Sequence, residues 1–115
     1  MIIAILTLFP EGVRPYLEQS ILGLAERKGL LKFLLVDFRA YARDPHRSAD
    51  DRPFGGGPGM VLKPEPIFEA IEDVERSVGP TRKLLLTPRG RRFDQRQAQE
   101  LAREERLLLL CGRYE

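Results

Sequence analysis

Two rhythms of apolar residues run along the chain. Ile2-Ile3-Ala4-Ile5-Leu6 is an unbroken apolar run rich in β-branched side chains, the pattern of a central strand buried on both faces of a parallel sheet. Pro10 breaks that run. From Glu11 to Lys28, Val13, Leu17, Ile21, Leu24 and Ala25 return at helical spacing with Gly29 as a stop, which predicts one or two short helices divided near Gln19 and Ser20. Phe33, Leu34, Leu35, Val36 and Phe38 predict a second strand, connected in parallel to the first through the helical segment.

No periodicity is sustained from Arg39 to Lys63, where charges, prolines and Gly55-Gly56-Gly57-Pro58-Gly59 dominate. Compact domains rarely keep irregular stretches beyond about 12 to 15 residues unless the stretch has a task or lacks order. Ile67, Ile71, Val74 and Val78 then define one face of a helix over 64–78, with Glu65, Glu69, Glu72 and Glu75 on its other faces. Lys83-Leu84-Leu85-Leu86-Thr87 reads as a strand. An arginine-rich turn follows, and then a helix opened by Asp94 as N-cap with Gln97 three residues on, a pattern that resembles a capping box. Arg106 to Cys111 supplies the last strand. The order β-α-β-loop-α-β-α-β predicts an α/β fold, a mostly parallel sheet flanked by helices. Cys111-Gly112-Arg113-Tyr114-Glu115 leaves a strand where open α/β sheets place their ligand crevices. A domain ordinarily continues from such a point into a loop and helix, so a longer protein is expected.

Composition narrows the classes. The chain has 115 residues, 43% of them hydrophobic, which suits one domain with a core of its own. Its one cysteine cannot form an internal disulfide, and neither a signal peptide nor an apolar run of about 20 residues is present, so the expectation is a soluble, cytoplasmic protein with no membrane contact. A net charge of +2 does not by itself mark a nucleic-acid binder. Fifteen of the 19 basic residues are arginine, whose planar fork suits phosphate and base edges, although genome composition produces the same bias. Asparagine is absent, which fits a heat-adapted source.

Three segments can carry chemistry. In Asp50-Asp51-Arg52-Pro53-Phe54-Gly55-Gly56-Gly57-Pro58-Gly59-Met60 the glycines let successive N–H groups point at an anion or a base edge, although a plain connector has the same composition. The segment is neither a P-loop nor a dinucleotide fingerprint, because the lysine-hydroxyl pair and the glycine spacing are both missing. In Leu86-Thr87-Pro88-Arg89-Gly90 the proline ends strand pairing and leaves the main chain of Leu86 and Thr87 free for a purine edge. An ordinary turn with solvated arginines is the competing reading. In Cys111-Gly112-Arg113-Tyr114-Glu115, Gly112 permits a tight bend, Tyr114 offers a stacking face and Glu115 a base-edge acceptor. Cys111 reads as a buried structural thiol, and His46, alone in the sequence, as a surface residue rather than a metal ligand.

Four stretches together resemble one family. Leu8-Phe9-Pro10-Glu11, the run from His46 to Met60, Thr87-Pro88-Arg89-Gly90 with Phe93-Asp94-Gln95, and Cys111 to Glu115 are similar, in order and spacing, to the bacterial tRNA (guanine-N(1)-)-methyltransferases. The resemblance implies a homodimer that moves a methyl group from S-adenosyl-L-methionine to the guanine 3′ of the anticodon in tRNA. It also implies an α/β-knot (SPOUT) domain with a trefoil knot, an exception to the rule against threaded chains. Residues 1–115 would be the amino-terminal portion of that cofactor-binding domain. By position, Leu86, Thr87, Pro88, Gly112 and Tyr114 resemble residues lining the cofactor pocket. Asp50, Arg52, Gly55, Gly56, Gly57, Pro58, Gly59 and Glu115 resemble residues around the target guanine.

The family's general base, the completion of its knot and its carboxy-terminal domain would all follow Glu115. Guanine N1 holds its proton at neutral pH, so transfer needs a carboxylate to remove it and a positive group to stabilise charge on the base. Asp50 and Glu115 suit accessory roles rather than that of the base, so residues 1–115 alone are expected to be inactive, with no metal site. Two other readings stay open: a non-catalytic RNA-binding α/β module, and a phosphosugar- or nucleotide-binding domain that uses the glycine loop as an anion nest.

Overall fold

In the computed structural model, residues 1–42, 50–51 and 61–112 are described. Strand β1 (Ile2–Leu6) leads through helices α1 (Pro10–Leu17) and α2 (Ser20–Arg27) into β2 (Lys32–Val36). A 3-10 turn (Phe38–Tyr41) follows, then a short pair of strands, β3 (Asp50–Asp51) and β4 (Val61–Leu62), and then α3 (Pro64–Val78). Strand β5 (Arg82–Leu86), helix α4 (Gln95–Leu101) and strand β6 (Arg106–Cys111) complete the order. β2, β1, β6 and β5 form one sheet in that order, with every pair parallel. The expected parallel α/β architecture is therefore present, with β1 central between β2 and β6.

Side-chain alternation divides the sheet into two faces. Ala4, Leu6 and Leu108 lie on one of them and pack with Ile67, Ala70 and Val74 of α3 and with Phe38. Ala4, Leu6, Leu108 and Phe38 are wholly buried there. The four-three-four spacing of the α3 apolar residues sets this contact, since it keeps one stripe of the helix on the sheet. Ile5 and Leu107 point to the opposite face and are also buried.

The helix boundaries follow local chemistry. Pro10 opens α1, where its missing N–H costs nothing because the first-turn amides have no partner within the helix. The two-helix division falls at Glu18 and Gln19, and Ser20 takes a left-handed backbone (φ 56°) at the corner. Gly29 (φ 77°) ends the second helix region as expected, and Gly79 (φ 99°) caps α3. The carboxylate of Asp94 accepts from Gln97 N at 2.9 Å, so the α4 N-cap is as read from the sequence.

Two features differ from the sequence reading. Phe38 does not extend β2. Asp37 accepts from Arg39 N at 3.0 Å and caps a 3-10 turn, which swings Phe38 into the core. The stretch expected to be irregular also holds the β3–β4 antiparallel pair, Asp50 opposite Leu62 and Asp51 opposite Val61.

Candidate functional site at the carboxyl edge of the sheet

In a parallel sheet every strand ends on the same edge. The chain leaves β1 at Thr7, β2 at Asp37, β5 at Thr87 and β6 at Gly112, all along that edge. β5 and β6 are neighbours with Leu86 opposite Cys111, so the Pro88 turn starts beside the end of β6 at Gly112. Adjacent strands lie about 4.8 Å apart. The two segments singled out at positions 86–88 and 111–112 can therefore meet a single small molecule.

Local hydrogen bonds fix the edge. Thr7 N donates to Val36 O at 2.9 Å, and Thr7 Oγ1, itself buried, accepts from Phe9 N at 3.1 Å. The Arg39 guanidinium donates both to Asp37 and to Leu8 O, tying the β1 and β2 exits together. Beyond β5, Gly90 N donates to Thr87 O at 3.3 Å and Arg89 N to Thr87 Oγ1 at 3.3 Å. Gly90 N takes one of the two acceptor positions of the Thr87 carbonyl, leaving the other open. Pro88 lacks an N–H and so cannot continue the strand.

Beside this edge, on the face away from α3, an open cavity of about 950 Å³ lies between the sheet and α4. Leu84, Leu86, Leu107 and Leu109 form its floor; Thr87, Pro88 and Phe93 are at its mouth; Leu101 stands on the α4 side. Leu86 is 53% exposed and Phe93 67% exposed. Among the described residues α4 buries no side chain completely, so it roofs the cavity without closing it. Gly112 is exposed at the end of β6 next to the cavity but is not among the residues lining it.

Cys111 is partly rather than fully buried, and that burial pushes its thiol pKa up, which keeps it protonated at neutral pH. Among the described residues no cluster of His, Cys, Asp and Glu could hold a metal ion. No described helix is long and apolar enough to cross a membrane.

Of the residues named from sequence, Leu86, Thr87, Pro88 and Gly112 are thus brought together. Asp50 is placed in β3, in a ladder that no register connects to the main sheet. Arg52, Gly55, Gly56, Gly57, Pro58, Gly59, Tyr114, Glu115 and His46 lie outside the described residues. The sequence reading missed Leu84, Leu107 and Leu109 as a cavity floor. The period-two alternation of β5 and β6 would have placed them on one face had the strand order been known.

The family model for tRNA (Guanine-1)-methyltransferase TrmD matches residues 1–115. The chain belongs to this family. A tRNA (guanine-N(1)-)-methyltransferase of Geobacillus kaustophilus is 50% identical over 115 residues, covering 100% of this chain and 47% of the relative. The Bacillus subtilis relative of the same name is 47% identical, with 100% and 48% covered. The crystal structure of the tRNA (m1G37) methyltransferase from Aquifex aeolicus superposes with a TM-score of 0.92 at 39% identity, covering 100% of this chain and 52% of that one. The chain spans about half the length of the relatives it matches. The parallel sheet and its flanking helices are accordingly family features.

Proposed function

We propose that this chain builds the cofactor wall of an S-adenosyl-L-methionine-dependent methyltransferase acting on guanine N1 next to the anticodon of tRNA, within a homodimer and as the amino-terminal part of a knotted domain. The observation that carries the reading is the pairing of Leu86 with Cys111, which sets the Pro88 turn beside the β6 exit at Gly112 in a chain of this family. The residues present suit such a cofactor. Leu84, Leu86 and Leu109 offer an apolar bed for a purine, and the cavity of about 950 Å³ is within the range of small-molecule sites, about 300 to 1,000 Å³. Bound there, the cofactor supplies an electrophilic methyl group on a positively charged sulfur.

The chain's own groups bind and position. The Thr87–Gly90 bond fixes the turn, Pro88 holds it away from further strand pairing, and the leucines give the bed an apolar surface. The proton on guanine N1 needs a carboxylate base. Asp50 and Glu115 are assigned accessory places at the guanine with Arg52 and the Gly55 to Gly59 run, and Tyr114 a place at the cofactor, by similarity of position to the family.

Calorimetric titration of S-adenosyl-L-methionine into the full-length protein tests the reading. Gly112→Trp, whose indole would fill the space beside Cys111, should weaken binding by about tenfold or more, a loss of about 1.4 kcal/mol or more. Pro88→Ala should weaken it less. Unchanged affinity in both variants would rule the site out, and salt-dependent tRNA binding with no cofactor affinity would favour an RNA-binding module without catalysis.

A further inference from the structure

Four arginines of the described residues are committed to carboxylates or carbonyls. Arg39 pairs with Asp37, Arg76 with Asp73, Arg82 with Glu104, and Arg106 holds Pro80 O and Glu105. Among the described residues Arg14, Arg27 and Arg103 stand singly without such a partner, whereas the turn from β5 into α4 gathers three within six residues. Arg91, Arg92 and Arg96 are exposed and, among the described residues, make no hydrogen bond or ion pair through their side chains. The acid closest in sequence, Asp94, has its carboxylate turned to Gln97 N at 2.9 Å as the helix cap. Glu100, one turn further along α4, forms no ion pair with Arg96 among the described residues. Between the arginines stands Phe93, 67% exposed.

We infer that Arg91, Arg92 and Arg96, with Phe93 between them, form a landing surface for the RNA strand at the mouth of the cavity beside Pro88. The inference rests on the proposed function, since it names the part of this chain that grips the RNA substrate. Guanidinium forks suit phosphate oxygens, and unpaired ones bind without first breaking an internal ion pair. An exposed ring among cations is the arrangement that single-stranded nucleic acid uses, with phosphates on the charges and a base on the ring. A purely acidic protein partner would satisfy the arginines but would leave the phenyl face without a use. Arg91, Arg92 and Phe93 also line the cavity mouth, so a strand held there presents a base toward the carboxyl edge.

Fluorescence anisotropy of a labelled tRNA transcript with the full-length protein, across a potassium chloride series, tests this surface. Each lost phosphate contact lowers the slope of log affinity against log salt by about 0.7 to 0.9. The triple variant Arg91→Gln, Arg92→Gln, Arg96→Gln should therefore lose about two to three units of slope, and the corresponding triple lysine variant should retain it. Phe93→Ala should weaken binding about tenfold with the slope unchanged, the signature of lost stacking. Arg103→Gln, beyond the other end of α4, should change neither.

An unchanged slope in the glutamine variant, the same loss in Arg103→Gln, or no binding by the unaltered protein would each overturn the surface. Cofactor binding by the unaltered protein, read in parallel, separates the two claims. Cofactor affinity with an arginine-independent slope overturns the surface alone. An arginine-dependent slope with no cofactor affinity overturns the proposed function alone.

Discussion

Glu75 shows how much one side chain can fix. Its Oε2 accepts from Thr81 N at 2.7 Å, Thr81 Oγ1 at 2.9 Å and Lys83 Nζ at 2.8 Å, tying the end of α3 to the start of β5. These donors, Lys83 first, hold its pKa down to about 2 from the ordinary 4.5. A depressed folded-state value means that the stabilisation is complete above the unfolded value, near pH 4.5, and is lost as pH falls through about 2. Glu75→Gln should destabilise the fold by about 1 to 2 kcal/mol near neutral pH, a modest figure because the side chain keeps some solvent contact. Urea midpoints measured between neutral pH and pH 2 should fall less steeply in the variant, and parallel profiles would contradict this role. The Tyr41 phenol behaves in the opposite sense. It donates to Asp73, and that bond, with burial, pushes its pKa up to about 12. Its contribution is therefore present below about pH 10 and lost as pH rises through about 12, and a Tyr41→Phe variant should lose stability less steeply than the unaltered protein over that alkaline span.

At the scale of elements, the join between α1 and α2 depends on a missing side chain. A Cβ on Gly23 would lie 2.2 Å from Glu18 O and 2.7 Å from Glu18 C, both of them backbone atoms that cannot swing aside. Gly23→Ala should cost about 1 to 3 kcal/mol, read as a lower urea midpoint, because the helices must shift to relieve the overlap. A neutral alanine would mean that the corner yields easily. Nothing in the sequence reading singled out Gly23, because a glycine inside a helix reads only as a weak position. The strands, by contrast, were legible as continuous apolar runs, since a strand in a parallel sheet is covered on both sides. The α3 stripe and the Asp94 cap were legible for equally local reasons. Phe38 was misread because an apolar residue after a strand looks like one more strand residue until Asp37 caps a turn there. The β3–β4 ladder is two residues long and leaves no period to detect.

At the scale of the whole molecule, the candidate site depends on strand order, which no local pattern encodes. β6 follows β5 in sequence yet lies between β1 and β5, and only that placement sets the β6 exit at Gly112 beside the Thr87-Pro88 turn. The segments were legible as chemistry, and the family resemblance put them at one pocket, but the strand order that makes them neighbours was not legible from local pattern. On the proposed reading, the Thr87-Pro88 turn and the β6 exit contribute to a binding site whose catalytic base is expected elsewhere. Residues 1–115 alone should therefore transfer no methyl group to tRNA in a radiolabel assay, and turnover above background would show that the base lies within them. The central claim is that this turn and the β6 exit face one methyl donor. It is tested most directly by following backbone amide resonances of the full-length protein during titration with S-adenosyl-L-methionine. Leu86, Thr87, Gly90 and Gly112 should shift together along one saturation curve while Lys32 and Arg106, at the opposite edge of the sheet, stay in place. Saturable binding that leaves Thr87 and Gly112 unmoved would contradict the account.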